Sequence, residues 1–174
     1  MGLKYLIIKI MKLQARLFRS YDRNLMHLLQ VKAVNETVEY VGQKMQNAVG
    51  LKGDRHEMFD FALSKIKNEG SILEFGVAGG YSINYIGKKL NNKQVYGFDT
   101  FDGLPEAWGG YFCGESTYTQ YGKKPKVHDN VKLIVGLFED TILKFKETNN
   151  QQIMFLHVDC DIYSSTKTIF DLIF

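Results

Sequence analysis

The chain has 174 residues, 45% hydrophobic and 13% aromatic, a composition that excludes a disordered or fibrous protein and fits one domain around a single sizeable core. The net charge of +3 is uneven: residues 1–23 hold six basic residues (Lys4, Lys9, Lys12, Arg16, Arg19, Arg23) against Asp22, while the remainder holds 16 basic and 18 acidic residues and lacks the basic field that nucleic-acid binding requires. The two cysteines, Cys113 and Cys160, have neither metal-ligand spacing nor the density of a disulfide framework, which points to a reducing cytoplasm.

The first segment reads as a basic amphipathic helix. At about 100° per residue its six cations share an arc of about 140°, with Leu3, Leu6, Ile10, Leu13 and Leu17 largely opposite. Such a helix packs on the body or on a partner subunit, with weak contact to a membrane surface as the other expectation. Lys9 and Lys12 interrupt the apolar run and no small-residue cleavage site follows, so it does not read as a signal peptide. Leu6 stands where N-myristoylation wants Ser or Thr. No window reaches the roughly 18 uninterrupted apolar residues of a membrane span. Residues 24–50 continue with helical character, so 1–50 is expected to be a helical extension and 51–174 the domain proper.

In "GDRHEMFDFALSKIKNEG" the spacing of Met58, Phe59, Ala62, Leu63 and Ile66 predicts a helix with an acid in its first turn and Gly70 as terminator. Strands then alternate with helices. "SILEFGV", "KQVYGFD", "NVKLIVG" and "QIMFLHVD" read as short apolar strands. "YSINYIGKKL", "EDTILKFKE" and a segment beginning near "SSTKTIFDLIF" read as helices, with Ile83, Ile86 and Leu90 on one face of the first. This rhythm predicts an α/β fold whose parallel sheet is covered on both faces. Four strands with an exposed edge make a small sheet for the pattern, so the chain is expected to be truncated after the fourth strand. The open edge and the first helix both favour a homo-oligomer. The segment 100–130 holds both prolines, Pro105 and Pro125, and is too long for a plain connector. Its "GLPEAWGGYFCGESTYTQY" suits a lid that stacks on a sugar, or equally a packed loop.

In an open sheet of this kind ligands gather beyond the carboxyl ends of the strands. Glu74 precedes "GVAGG", where Gly76, Gly79 and Gly80 let backbone N–H groups approach a ligand. The turn does not match the dinucleotide pattern, because Ala78 and Tyr81 occupy later glycine positions. A carboxylate at Glu74 repels a pyrophosphate and suits a ligand with an ammonium and a sulfonium. Asp99 ends the second strand, where an acid can accept both ribose hydroxyls of an adenosine. Asp102 reads as a turn residue before Gly103, and His128 falls in a loop. "FLHVDCDIYSS" ends a strand in Asp159 and Asp161, a repelling pair that a cation between them would stabilise. His157 shares the strand face of Asp159 by alternation and is either a hydrogen-bonded core residue or a base. Ser164 and Ser165 read as helix caps.

With these residues the sequence resembles the class I S-adenosylmethionine-dependent methyltransferases, and among them the macrocin O-methyltransferase family. The resemblance is carried by "ILEFGVAGGYSINYI", "VYGFDTFDGLPEAW", "NVKLIVGLFEDTI" and "FLHVDCDIYSSTKTIFDLI", within residues 71–174. It implies a Rossmann-like sheet, bound S-adenosylmethionine and Mg²⁺-assisted methyl transfer to a hydroxyl of a sugar or glycosylated small molecule. By motif, Glu74, Gly76 and Gly80 line the methionine end, with Ser82 added to the cofactor set. Asp99 holds the ribose, and Gly136 with Phe138 lies near the adenine. Asp159 and Asp161 correspond to the family's metal-binding acids, with Asp159 and His157 the catalytic candidates. Family members continue into a further strand with another acidic pair. The competing expectations are a truncated, inactive methyltransferase serving as a binding module, a metal-dependent sugar-nucleotide transferase using "DCD", and a nicotinamide oxidoreductase, which the missing glycine and Glu74 disfavour.

Overall fold

The computed structural model describes residues 3–22, 24–67, 69–108 and 114–174, without the side chains of residues 3, 4 and 15–22. Arg23, Cys113 and the rest of 109–113 lie outside the described residues, as do the side chains of Leu3, Lys4, Arg16, Leu17 and Arg19 from the predicted amphipathic pattern. The chain divides into two units, Met1–Gly50 and Leu51–Phe174.

In the first unit, α1 (Leu3–Asp22) is followed by α2 (Leu25–Lys44). Asn24 caps α2, its side-chain oxygen accepting from the N–H groups of Met26 at 3.0 Å and His27 at 3.4 Å. No residue of α2 is buried, and Leu6, Ile10 and Leu13 of α1 are exposed. Among the described residues no helix is long and apolar enough to cross a membrane.

The second unit runs α3 (Arg55–Ser64), β1 (Ser71–Phe75), α4 (Tyr81–Lys89), β2 (Val95–Asp99), β3 (Val131–Val135), α5 (Phe138–Thr148), β4 (Ile153–Val158) and α6 (Tyr163–Ile173). Its four strands are all parallel, in the order β3-β2-β1-β4. The order reverses at β1, so a crevice opens between the turns that leave β1 and β4.

Alternation along β1 sorts the two cores. Ile72 joins Phe59 of α3 with Ile83 and Ile86 of α4, while Leu73 and Phe75 join Ile142 and Phe145 of α5 and Ile169 of α6. All five residues of β1 are buried, which is why "SILEF" reads as a continuous apolar run rather than an alternating one. Phe75 stacks on Phe98 with centroids 4.5 Å apart, and Phe98 meets Phe145 edge-on at 5.4 Å. Full burial of side chains of this size stabilises by about 1.5–3 kcal/mol each.

At nine residues, α4 is too short to persist alone, and its environment sustains it. A Cβ on Gly97 would stand 2.2 Å from Ile83 Cδ1, so the bare backbone of β2 lets the helix seat closely. Asn130 closes the other end, its amide donating to the carbonyls of Gly87, Leu90 and Lys93 at 2.8–3.0 Å.

The helix expected to run to Gly70 stops at Ser64. The Lys65 N–H turns back to the carbonyls of Ala62 and Leu63, leaving Ile66 beyond the helix, and Met58 is exposed. Gly70 does not cap it. A Cβ there would lie 2.2 Å from the Gln152 carbonyl oxygen, where the chain enters the sheet beside β4. In the long connector, Phe101 is buried in the core and its carbonyl accepts from Gln120 and Gly122, while Leu104 exchanges backbone bonds with Ser116 and Thr117. Its described part is folded on itself and pinned at its base.

Gly76 and Gly79 separate two reasons for glycine in the first turn. A Cβ on Gly76, at φ +88°, would stand 2.0 Å from the Asp159 carbonyl oxygen, whereas nothing lies within 4 Å of one on Gly79. Gly76→Ala is expected to destabilise the fold by about 3 kcal/mol, from backbone strain plus overpacking. Gly79→Ala is expected to stay within about 0.5 kcal/mol. Urea unfolding midpoints of the two variants check this.

Candidate functional site

A cleft of about 590 Å³ opens at the carboxyl ends of β1, β2 and β4. Its floor is the turn after β1, where Gly76, Val77, Ala78 and Gly79 line it. Asp99 shapes that turn. One carboxylate oxygen accepts from the N–H groups of Val77 at 2.7 Å and Ala78 at 2.8 Å, and the other from Phe101 at 2.7 Å. Ala78 and Phe101 both have positive φ, so the bonds hold two strained residues in place. Asp99 lines the cleft as expected, but a carboxylate offers about four acceptor positions and three are in use. One acceptor position remains.

"DCD" resolves into two outward carboxylates and one inward thiol. The Asp159 N–H donates to the Phe75 carbonyl at 2.8 Å, continuing the sheet by one bond beyond β4. Cys160 then turns into the core, Sγ 3.3 Å from Thr166 Oγ1, and burial pushes its thiol up, so it stays protonated. Asp161 turns back out through the left-handed region at φ +62°, which Asp tolerates. Asp159 and Asp161 both line the cleft. Partial burial raises the Asp161 carboxyl above the usual range, and the Asp159 charge adds to it. Among the described residues no group of three His, Cys, Asp or Glu side chains is placed to hold a metal ion.

Glu74 does not reach the cleft, because alternation along β1 turns it beneath the glycine turn, where it is 0% exposed. Its carboxylate accepts from Ser82 Oγ at 2.9 Å and lies 3.1 Å from His157 Nδ1 on the paired strand position. Ser82 lines the cleft and is the only one of the three that does. His157 is half-buried, its ring edge-on to Phe59 at 5.0 Å, and it does not line the cleft. Two glycines also serve the frame rather than the cleft wall. Gly80 starts α4 at φ +82°, where a Cβ would meet Pro125 at 3.0 Å. Gly136, at φ +138°, donates its N–H to the Asp99 carbonyl. Phe138 does line the cleft, edge-on to Phe75 at 5.2 Å.

Other wall residues carried no signal in the sequence. Glu106, from the connector, accepts from Ser164 Oγ in the first turn of α6. Ser164 and Ser165 were expected to cap that helix, but its N-cap is Ile162, with no side-chain capping bond. Arg55, at the start of α3, stands over the Tyr81 ring at 5.2 Å and is the one cationic side chain among the described lining residues. Five carboxylates share the lining with it: Asp99, Glu106, Glu139, Asp159 and Asp161. Such a cleft attracts cations.

Burial raises the Glu74 carboxyl, and the nearby Asp159 charge adds to this, although the bonds from His157 and Ser82 act against it. A carboxyl raised on folding adds most stability at acid pH, and that contribution is lost as pH rises through its folded value. Thermal midpoints of wild type and Glu74→Gln, taken from about pH 4 to about pH 8, are expected to diverge in favour of the variant as pH rises. Parallel curves would mean that His157 and Ser82 offset the burial completely.

The cleft and its sheet have counterparts in known proteins. A family model described as "Methyltransferase domain" matches residues 73–174. Among solved structures, the chain is similar to the crystal structure of CalS11, a calicheamicin methyltransferase, with a TM-score of 0.55 and 20% identity over 80% of this chain and 72% of that one. A second match is the apo structure of CalS11, named as a TDP-rhamnose 3'-O-methyltransferase, with a TM-score of 0.48 and 20% identity over 78% of this chain and 64% of that one. No curated protein matches the chain. At this identity the first likeness is one of fold, a Rossmann-like parallel sheet flanked by helices. The family model runs from β1 to α6 over more than half of the chain, and the chain therefore belongs to the methyltransferase-domain family.

Proposed function

We propose that the cleft binds S-adenosylmethionine and serves the Mg²⁺-assisted methylation of a sugar hydroxyl, as the resemblance to the macrocin O-methyltransferase family implies. The observation that carries this reading is the composition of the cleft: a turn of exposed backbone beside five carboxylates and one guanidinium. That set fits the donor, whose sulfonium and ammonium are cationic and whose single carboxylate suits Arg55. The volume is within the usual range for a small-molecule site. It fits a nucleoside diphosphate poorly, which disfavours a nicotinamide oxidoreductase or a sugar-nucleotide transferase.

When bound, S-adenosylmethionine supplies a methyl group on a sulfonium leaving group. The protein's task is positioning, since in-line displacement needs no covalent enzyme intermediate. In this reading Ser82, whose hydroxyl donates to buried Glu74, meets the methionine end, and the free acceptor position of Asp99 takes a ribose hydroxyl. Phe138 and Leu137 supply the apolar wall for the adenine.

Asp159 and Asp161 are the groups suited to a divalent cation. Mg²⁺ is commonly held by one or two carboxylates with water and substrate oxygens completing its shell, so a pair is a sufficient protein contribution. When bound there, Mg²⁺ supplies Lewis acidity to an acceptor hydroxyl. In this reading a carboxylate of the pair accepts the proton of the acceptor hydroxyl. His157, which does not line the cleft, leaves that role to the pair.

Calorimetric titration with S-adenosylhomocysteine, with and without Mg²⁺, tests the reading without an acceptor. Saturable binding is expected. Titration with Mg²⁺ alone is expected to give a binding heat that Asp159→Asn abolishes, with S-adenosylhomocysteine affinity kept within about twofold. Equal loss of both would assign Asp159 a structural role, and no S-adenosylhomocysteine binding by folded protein would overturn the donor assignment.

A further inference from the structure

The sequence of α1 holds five cations, Lys4, Lys9, Lys12, Arg16 and Arg19, against one acid, Asp22. Its described side chains, from Tyr5 to Gln14, are all exposed. By helical position Leu6, Ile7, Ile10, Met11 and Leu13 fall within an arc of about 160°. Lys9 and Lys12 lie outside that arc, on the side where the sequence places its other cations, and Tyr5 and Ile8 are the apolar exceptions on that side. The neighbouring helix lacks this segregation. The sequence of α2 balances two lysines with two glutamates, and Lys32 pairs with Glu36 at 3.7 Å.

An aliphatic face in water is unfavourable by about 25 cal/mol per Å² of apolar surface, and the charge beside it decides what covers it. A second copy of α1 would set two helices of the same positive charge side by side. A coiled-coil seam is also a narrower stripe than one widened by Ile7 and Met11. A nucleic acid would meet the cations and leave the aliphatic face in water. An anionic bilayer answers both faces at once. Aliphatic side chains enter the boundary of the acyl chains, while the lysines extend their charged ends to the lipid phosphates. At 1.5 Å per residue α1 is about 30 Å long, yet its charges leave it too polar to cross a membrane. It can lie on one.

We propose that α1 docks the protein on an anionic lipid surface. The helix lies in the plane of the interface, with Leu6, Ile7, Ile10, Met11 and Leu13 towards the acyl chains and Lys9 and Lys12 against the headgroups. The contact is reversible and weakens with salt, because part of it is charge attraction that mobile ions screen. It is independent of what the cleft binds.

Co-sedimentation of the full chain with two kinds of vesicle tests this: phosphatidylcholine alone, and phosphatidylcholine with about 30% phosphatidylglycerol. The expected result is binding to the anionic vesicles that falls as salt rises, with little binding to the neutral ones. Replacing both lysines, Lys9→Gln with Lys12→Gln, is expected to weaken the partition about thirtyfold, and Ile10→Asp to abolish it. All three side chains are exposed, so urea unfolding midpoints of the variants are expected to match wild type, and lost binding then reads as a lost contact. Folded wild-type chain that ignores anionic vesicles, equal binding to both vesicles, or binding that either variant leaves intact would each overturn the proposal. A dimer that Ile10→Asp splits into monomers in light scattering, with no vesicle binding by wild type, would assign the face to a second copy instead.

Discussion

Asp99 ties together the ends of three strands. Its side chain takes the N–H groups of Val77 and Ala78 from the turn after β1 and of Phe101 from the turn after β2, and its backbone carbonyl takes the N–H of Gly136 after β3. Hydrogen bonds to an ionised group contribute about 1.5–3 kcal/mol each, comparable with the 1–3 kcal/mol that a residue in a sparsely populated backbone region costs. The positive φ values of Ala78 and Phe101 are held on those terms. The floor of the cleft and the anchoring of the long connector through buried Phe101 both follow from this one carboxylate, and the backbone of the same residue joins β2 to the end of β3.

The fourth strand is fixed by a different contact. Gly76 lets the backbone of β1 pass so close to the Asp159 carbonyl that no side chain fits between them, and the Asp159 N–H closes on Phe75. Asp159 and Asp161 are thereby presented at the cleft in a defined relation to the glycine turn. A few ångströms away in the same strands, Glu74 and His157 face into the core as a paired couple. Buried Glu74 has two partners, Ser82 and His157, so the protein carries its desolvation without leaving a polar atom unsatisfied. Glu74 inside β1 is thus sealed, while Asp159, one residue beyond the end of β4, is open.

The electrostatic asymmetry of the cleft gives this arrangement its functional sense. Five carboxylates against Arg55 create a site for positive charge, in a chain whose overall charge is slightly positive. The net charge of the sequence says nothing about this, because the carboxylates come from β2, the connector, α5 and the turn after β4. They are brought together only by the parallel sheet, whose strand ends all lie on one edge.

The sequence by itself determined the α/β class, the four strands and most of their helices, because apolar runs of strand length alternating with helical periodicity have few other solutions. It also determined the glycine turn and the "DCD" strand end as the places to look, and the methyltransferase resemblance that the family model supports. What it left open depended on which way particular side chains face and on contacts far apart in the chain. Glu74 and Glu106 are both glutamates beside structured turns, yet one is buried behind the cleft and the other forms its wall, and only the pairing of β1 with β4 and the return of the connector to α6 decide this. Gly76, Gly79 and Gly80 are indistinguishable as letters, but one clears a carbonyl, one borders open space and one sits under Pro125. Local periodicity encodes the elements because it repeats every two or 3.6 residues. The lining of the cleft has no period, since it is set by where separate strand ends and helix starts meet.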